Sequence, residues 1–468
     1  MELSLEELTK VIKGKIISGN PGSIIKSISI DSRTLNRGDF FIPLLGEKCD
    51  GHQFIEEALL KGAIGFLTSM YENRLNLKRE TYLNKIIVLV ENTQEALEEM
   101  AKYIRKISGY EVVAITGSIG KTVTREIIRS VLKQKFKVGC APENYNTEIG
   151  VPLTILSYNN DIQVLILELA MRGLNQIARL AEICKPKIGV MTLINNTHIE
   201  LLGSVENIVK AKSELIKAIP EDGINILCRD DEWYTLFSSI SNSEVVNYGL
   251  SNDSQVSAKD IILDEMAKPR FKLCFKNKQV DIYLPITGDH YVLNSLAAAA
   301  VGISYGMDLN QIKKGLESVE PFKMRMQIED GKKNILLIND SYNANLTSMK
   351  AAIKVLSYLK KRRKGRSIAI LGDMLELGKF SEISHMDIGK FIVKQNVDLL
   401  LTRGENAKII SQTALSRGMS KDQIYQFSSN KEIKENILNL IKPKDIVLVK
   451  ASRAMAFDEI ADFLTVHN

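Results

Sequence analysis

The sequence predicts an α/β protein of three domains, bounded at 1–106, 107–314 and 315–468. Three observations carry that reading. The 468 residues exceed one typical domain, and length alone suggests about three. Two long stretches alternate short apolar runs with amphipathic helical patterns, which is the arrangement of a mostly parallel sheet with crossover helices. The segment EVVAITGSIGKTVTREIIRSVLKQ passes from an apolar strand through a glycine turn straight into a helix, as in a P-loop-type ATPase domain.

The first block opens on MELSLEELTKVIKGK, an amphipathic helical pattern without the basic start and apolar core of a signal peptide. SIIKSISID, GDFFIPL, GAIGFLTS and KIIVLV then read as strands bounded by turn residues. NTQEALEEMAKYIRKI reads as a helix leading out, capped by Asn92 or Thr93. In the second block VLILELA, IGVMTLI and INILCR read as strands, and QIARLAEIC and VENIVKAKSELIKAI as helices. GDHYVLNSLAAAAVGISYG closes it with a small-residue helix able to pack tightly. In the third block NILLIND, SIAILGD, VDLLLTRG and DIVLVK are buried-strand patterns, separated by helices such as TSMKAAIKVLSYLK. This is a second α/β unit, Rossmann-like in pattern.

Composition excludes several classes. A hydrophobic fraction of 45% with 25% charged residues is that of an ordinary globular protein. No apolar run approaches the roughly 20 residues needed to cross a bilayer, so a cytoplasmic location is expected. The five cysteines (Cys49, Cys140, Cys184, Cys228 and Cys274) are scattered and never at CxxC spacing, so buried free thiols are expected rather than disulfides or a zinc site. The net charge of +6 permits anionic substrates without demanding nucleic acid. The basic run Lys360–Lys364 reads as a solvated helix end favoured by the helix dipole, and His385 as a residue on a capped helix surface.

Gly117, Ser118, Ile119, Gly120, Lys121 and Thr122 carry the most informative chemistry. Glycines let backbone N–H groups turn toward a phosphate, lysine adds charge, and the hydroxyl suits magnesium. The motif is shorter than the usual form, with Ile115 standing where the first glycine would be. No GxGxxG fingerprint supports a nicotinamide cofactor. Taken singly, Glu168 at the end of VLILE reads as a surface carboxylate. Lys212 reads as one of a solvated helical row with Lys210 and Glu214, and His198 as a structural histidine.

As an ordered set, these segments resemble the Mur ligase family across essentially the whole chain. The resemblance rests on the phosphate loop and on NYNTEIGVP at 144–152, together with Glu168 and NNTH at 195–198. It extends to Lys212, to GDH at 288–290 with Asn294, and to Arg325 and Asp340. DSYNAN at 340–345 and LGDMLELG at 371–378 are similar to the versions in the branch that adds D-alanyl-D-alanine. The aspartate-asparagine-proline-arginine type string of the diaminopimelate-adding branch is absent. DSR at 31–33 and DGH at 50–52 resemble the uridine-binding domain of both branches.

The resemblance implies an ATP-dependent ligase with two Mg²⁺ ions that joins D-Ala-D-Ala to UDP-N-acetylmuramoyl-tripeptide through an acyl phosphate. It implies that the loop from Gly117 to Thr122, Asn294, Arg325 and Asp340 bind the nucleotide. Thr122, Glu168, His198 and a carbamate on Lys212 would hold metal, with Lys121, Glu168, His198 and Lys212 as the catalytic set. Ser32 and Arg33 would meet the uridine or its phosphates, and Asn146, Tyr342 and Asn343 the substrates. No nucleic acid or membrane span is implied, and a monomer is. Ile119 and Tyr291 depart from the family pattern, the second at the adenine side. The rival readings are a ligase adding a single amino acid, another amide ligase of the family, a P-loop NTPase or kinase, or a non-catalytic binding protein that keeps the fold. The kinase reading leaves Lys212, Asn294 and the third block without a role.

Overall fold

The computed structural model describes residues 2–46, 49–70, 82, 84–158, 161–195 and 199–466. Its strands gather into three main sheets. The first has five strands in the order Lys15–Ser18, Ile86–Leu89, Gly65–Thr68, Phe40–Phe41, Ile28–Ser29. All its pairs are parallel except the Lys15–Ser18 edge. SIIKSISID is not one strand: Ile24–Ile25 pairs with Leu3–Ser4, while Ile28–Ser29 joins the five-stranded sheet. The opening helix, Leu5–Val11, starts at a capping box between Ser4 and Glu7. The exit helix, Thr93–Ile107, is capped by the Asn92 side chain, which accepts from Gln94 and Glu95 N–H.

The central sheet has nine strands. Val138–Cys140, Val164–Glu168, Glu111–Thr116, Ile188–Met191, Ile224–Cys228, Glu244–Gly249 and Val256–Leu263 run parallel. Pro269–Phe275 and Lys278–Tyr283 then continue the sheet antiparallel. Glu111–Thr116 sits between Val164–Glu168 and Ile188–Met191, so the loop after it opens at the carboxyl edge where ligands of such sheets lie. The fully buried alanines 297–300 let the helix Tyr291–Ser304 lie close against Lys121–Leu132.

The third sheet has the order Gln327–Gly331, Ile335–Asn339, Ile446–Lys450, Ser367–Gly372, Leu399–Arg403, Ile424–Phe427. Its first pair is antiparallel and the rest parallel. The four expected strands are its centre, flanked by two that are less buried. The basic run ends the helix Leu346–Arg363, where Lys360 donates to Asn396 O and pairs with Asp398.

Two sequence expectations are corrected. His385 is fully buried rather than on a surface: Nε2 accepts from Met374 N–H at 3.0 Å and Nδ1 donates to Ser381 O at 2.7 Å. The cysteines are free, but only Cys184 and Cys228 are buried; Cys49 is exposed, and Cys140 and Cys274 are intermediate. Burial pushes the Cys184 and Cys228 thiols up to about 12.

Candidate active site

A cavity of about 560 Å³ opens where the carboxyl edges of the central and third sheets face each other. Its wall includes Ser118 to Thr122, Asn146, Glu168, Lys212, Asn294, Arg325, Asp340, Tyr342 and Asn343. Segments far apart in the chain thus converge on one space. Gly117 supports the loop from behind. Its φ is +143°, and a Cβ there would stand 1.9 Å from Thr192 Oγ1. Gly120 takes φ +84°, and a Cβ there would stand 2.5 Å from Asn294 Nδ2. Both positions therefore exclude side chains.

The helix Lys121–Leu132 begins at Gly120 with no side-chain cap, so its first N–H groups are available to an anion. Not all of the loop is free: Ser118 and Ile119 N–H both donate to Leu193 O, at 2.9 and 3.3 Å. Lys121 Nζ donates to Gly117 O at 2.8 Å, which bends the side chain back over the loop. Desolvation lowers its pKa, with Arg325 adding to the effect and Glu168 opposing it.

Thr122 Oγ1 donates to Glu168 Oε2 at 3.2 Å, joining the loop helix to the end of Val164–Glu168. Glu168 is buried, and Arg125 Nη1 lies 3.0 Å from its Oε1 without forming a directed hydrogen bond. A hydroxyl and a buried carboxylate side by side are hard donors that fit Mg²⁺. The solvated reading of Glu168 is thereby excluded.

Lys212 is not on a solvated face either. It is 2% exposed on the helix Val205–Ala218, and burial holds its amine well below the ordinary lysine range, with Lys121 nearby pushing the same way. Glu214 makes no pair with a lysine; instead it accepts from Asn175 and Ala178 N–H and caps the helix Gln176–Cys184. His198 lies outside the described residues.

Asn294 Nδ2 donates to Thr124 Oγ1 at 2.8 Å, behind the loop. The neighbouring Tyr291 is buried, and its hydroxyl reaches Arg325 O at 3.4 Å. The Arg325 guanidinium lies 3.8 Å from the Tyr342 ring centroid, and its buried Nε has no hydrogen-bond partner among the described residues. Asp340 Oδ1 accepts from Met326 N–H, while Oδ2 pairs with Lys450 at 2.6 Å. Asn343 O accepts from the same ammonium at 2.9 Å. Asn146 is held through its backbone, to Asn144 and Ala170.

Ser32 and Arg33 are not brought to this cavity. Ser32 is buried and donates to Glu57 at 3.0 Å, and Arg33 is exposed and paired with Asp31. Residues that sequence reasoning missed include Lys450, Arg125 and Arg172. Lys450 ends the apolar strand DIVLVK, and a lysine closing a buried run was the available signal. Arg172 lies in the Glu168–Gly173 stretch, which itself resembles the family, and nothing local distinguished Arg125.

Residues 24–105, 115–302 and 324–453 match the descriptions "Mur ligase family, catalytic domain", "Mur ligase middle domain" and "Mur ligase, glutamate ligase domain" in turn. The UDP-N-acetylmuramoyl-tripeptide--D-alanyl-D-alanine ligase of Bacillus subtilis (strain 168) is 31% identical over 460 residues, which is 98% of this chain and 97% of that one. Among solved structures, MurF from Acinetobacter baumannii superposes with a TM-score of 0.88 at 26% identity, over 99% of both chains. The MurF ligase of Thermotoga maritima in complex with ADP gives 0.80 at 27% identity, over 94% of this chain and 96% of that one. On its phosphate loop, its converging cavity and these likenesses, the chain belongs to the Mur ligase family.

Proposed function

We propose that this enzyme uses ATP to join D-alanyl-D-alanine to UDP-N-acetylmuramoyl-tripeptide, yielding the pentapeptide precursor of peptidoglycan with ADP and phosphate. The observation that carries the ligase chemistry is the single cavity in which the phosphate loop, Glu168 and Lys212 face Arg325, Asp340 and Tyr342. The likeness, over 98% of this chain, to a UDP-N-acetylmuramoyl-tripeptide--D-alanyl-D-alanine ligase supports the choice of amine over the single-amino-acid alternative.

A carboxylate is a poor electrophile, so it first takes the γ-phosphoryl of ATP to form an acyl phosphate. The dipeptide amine attacks that carbonyl through a tetrahedral intermediate, and phosphate leaves as the amide forms. Negative charge gathers at each step, and pre-oriented cations and N–H groups therefore supply most of the stabilisation. In this reading the N–H groups at the start of Lys121–Leu132 and the Lys121 ammonium hold the β- and γ-phosphates. Asn294, Arg325 and Asp340 orient the nucleoside end, with Arg325 leaving Tyr342 to do so. Asn146, Tyr342 and Asn343 line the acceptor side.

Mg²⁺, when bound, would supply positive charge that offsets the negative charge of the phosphates. Thr122 and Glu168 would hold one ion, and His198 with a Lys212 carbamate a second. A carbamate forms when a neutral amine adds to CO₂ and releases a proton. A buried lysine whose amine is held well below its ordinary pKa is suited to that reaction. Residues 1–106 would hold the uridine end through Ser32 and Arg33, 107–314 the nucleotide, and 315–468 would close over it. The enzyme would work as a cytoplasmic monomer; among the described residues no helix is long and apolar enough to cross a membrane.

The test is phosphate release from ATP and Mg²⁺ with both substrates, with each alone and with single amino acids. Release that requires both, with a product heavier by the dipeptide residue mass, supports the reading. Release with a single amino acid in place of the dipeptide overturns it.

A further inference from the structure

The buried arginine beside the proposed magnesium carboxylate has no part in the mechanism above. Arg125 lies one helical turn after Lys121, on the same face of the loop helix, and is 4% exposed. Its guanidinium is divided among three partners. Nε and Nη2 donate to Glu126 Oε1 at 3.0 and 2.7 Å. Nη1 donates to Pro142 O at 3.3 Å and lies 3.0 Å from Glu168 Oε1. Glu126 is anchored in turn by Arg129, whose Nη1 reaches Oε2 at 3.2 Å.

This division matters for Glu168. Glu126 takes the two short, directed contacts of the guanidinium, and Glu168 meets only its lateral nitrogen through one oxygen. The other oxygen, Oε2, is left facing Thr122. A buried arginine that clamped both carboxylate oxygens would close the ligand position. One that was absent would leave a buried carboxylate without a counter-charge, which is costly.

We propose that Arg125, steadied by Glu126, is a positioning residue that presents Glu168 Oε2 and Thr122 Oγ1 together to the magnesium of MgATP. The proposal rests on the reading of Glu168 as a magnesium ligand. Groups that orient metal ligands typically change metal affinity by about 10–100-fold when removed.

The experiment measures ATP affinity by calorimetry across a Mg²⁺ titration, using the full-length enzyme without the other substrates. Arg125→Met should raise the Mg²⁺ concentration for half-maximal tightening by at least about tenfold. Arg125→Lys should recover part of that loss, because it restores charge without the fork. An unchanged or lowered Mg²⁺ requirement in Arg125→Met overturns the proposal. If that variant does not fold, Glu126→Gln, at a half-buried position, decides instead. The Arg125 guanidinium, released from Glu126, should move onto Glu168 and raise the Mg²⁺ requirement; no rise overturns the proposal. Glu168→Gln separates the two readings. If it keeps the wild-type Mg²⁺ dependence, the ligand assignment fails and takes the proposal with it. If it loses that dependence while Arg125→Met keeps it, only the positioning role of Arg125 is overturned.

Discussion

The Tyr342 hydroxyl donates to Asn144 Oδ1 at 2.9 Å, joining the segment after Ile335–Asn339 to the loop after Val138–Cys140. This single bond bridges the third sheet's edge and the central sheet's edge across the mouth of the cavity. Arg325, stacked on the same ring, belongs to the segment that connects the two sheets. Tyr342 therefore stands where closure of the site would be felt.

Tyr342→Phe keeps the ring and the stacking but removes the bridge. One neutral hydrogen bond contributes about 1 kcal/mol net. The expected result is a drop of about fivefold in kcat/KM with little change in unfolding temperature, since the bond lies between sheets. Unchanged steady-state kinetics for this variant would show that the bridge plays no part in turnover.

Gly117→Ala should disable the phosphate loop. The added Cβ would collide with Thr192 Oγ1, and a positive φ strains any L side chain. Strain of this kind typically costs about 1–3 kcal/mol. A lower unfolding temperature and ATP affinity weakened by at least about tenfold are expected. Wild-type ATP binding by calorimetry would contradict the described loop geometry.

Lys212→Met separates stability from activity. Methionine fills much the same volume without a buried amine, so the variant should melt no lower than wild type. Activity should fall by about a hundredfold if the lysine carries a metal-binding carbamate. A carbamate carbon signal after ¹³C-bicarbonate labelling should appear in the wild type and vanish in the variant. Identical spectra from the two proteins would remove the carbamate assignment.

His385 sets a pH dependence. Burial lowers its pKa from the ordinary 6.5, against the backbone bond to Ser381 and the charge of Asp373, both of which raise it. The unfolded chain therefore binds a proton near pH 6.5 that the folded chain refuses. Its contribution to stability is present above that pH and is lost on acidification, at no more than about 1.4 kcal/mol per pH unit for one proton. His290 is shifted in the same direction by burial and adds to the trend. His385→Gln should reduce the loss of unfolding free energy between pH 7 and pH 5, seen in denaturant melts. A slope equal to that of the wild type would assign the acid sensitivity elsewhere.

Most secondary structure was legible because its causes are local. The Asn92 cap, the apolar run into the loop at Gly117, and the four central strands of the third sheet depend on neighbours a few residues away. The antiparallel strands Pro269–Phe275 and Lys278–Tyr283 were missed, because their mixture of charged and apolar residues lacks the continuous run of a buried parallel strand. SIIKSISID was read as one strand because its apolar pattern is continuous, although its two halves pair in different sheets.

The sequence by itself determined the α/β class, the phosphate loop and the order of the motifs, because glycine spacing and hydrophobic period act over short stretches. Only the tertiary structure decided which side chains those motifs bury and against what. Lys212 lies in a run of charged and polar helix residues that reads as solvated, yet it packs inside. His385 reads as surface and is buried, and Arg125 gives no local sign that it reaches Glu168, 43 residues away in the chain. The burial of these groups, and the reach of Arg125 to Glu168, depend on segments that the chain brings together only on folding. No window along the chain contains that information, and so the chemistry of the site emerges only when the sheets meet.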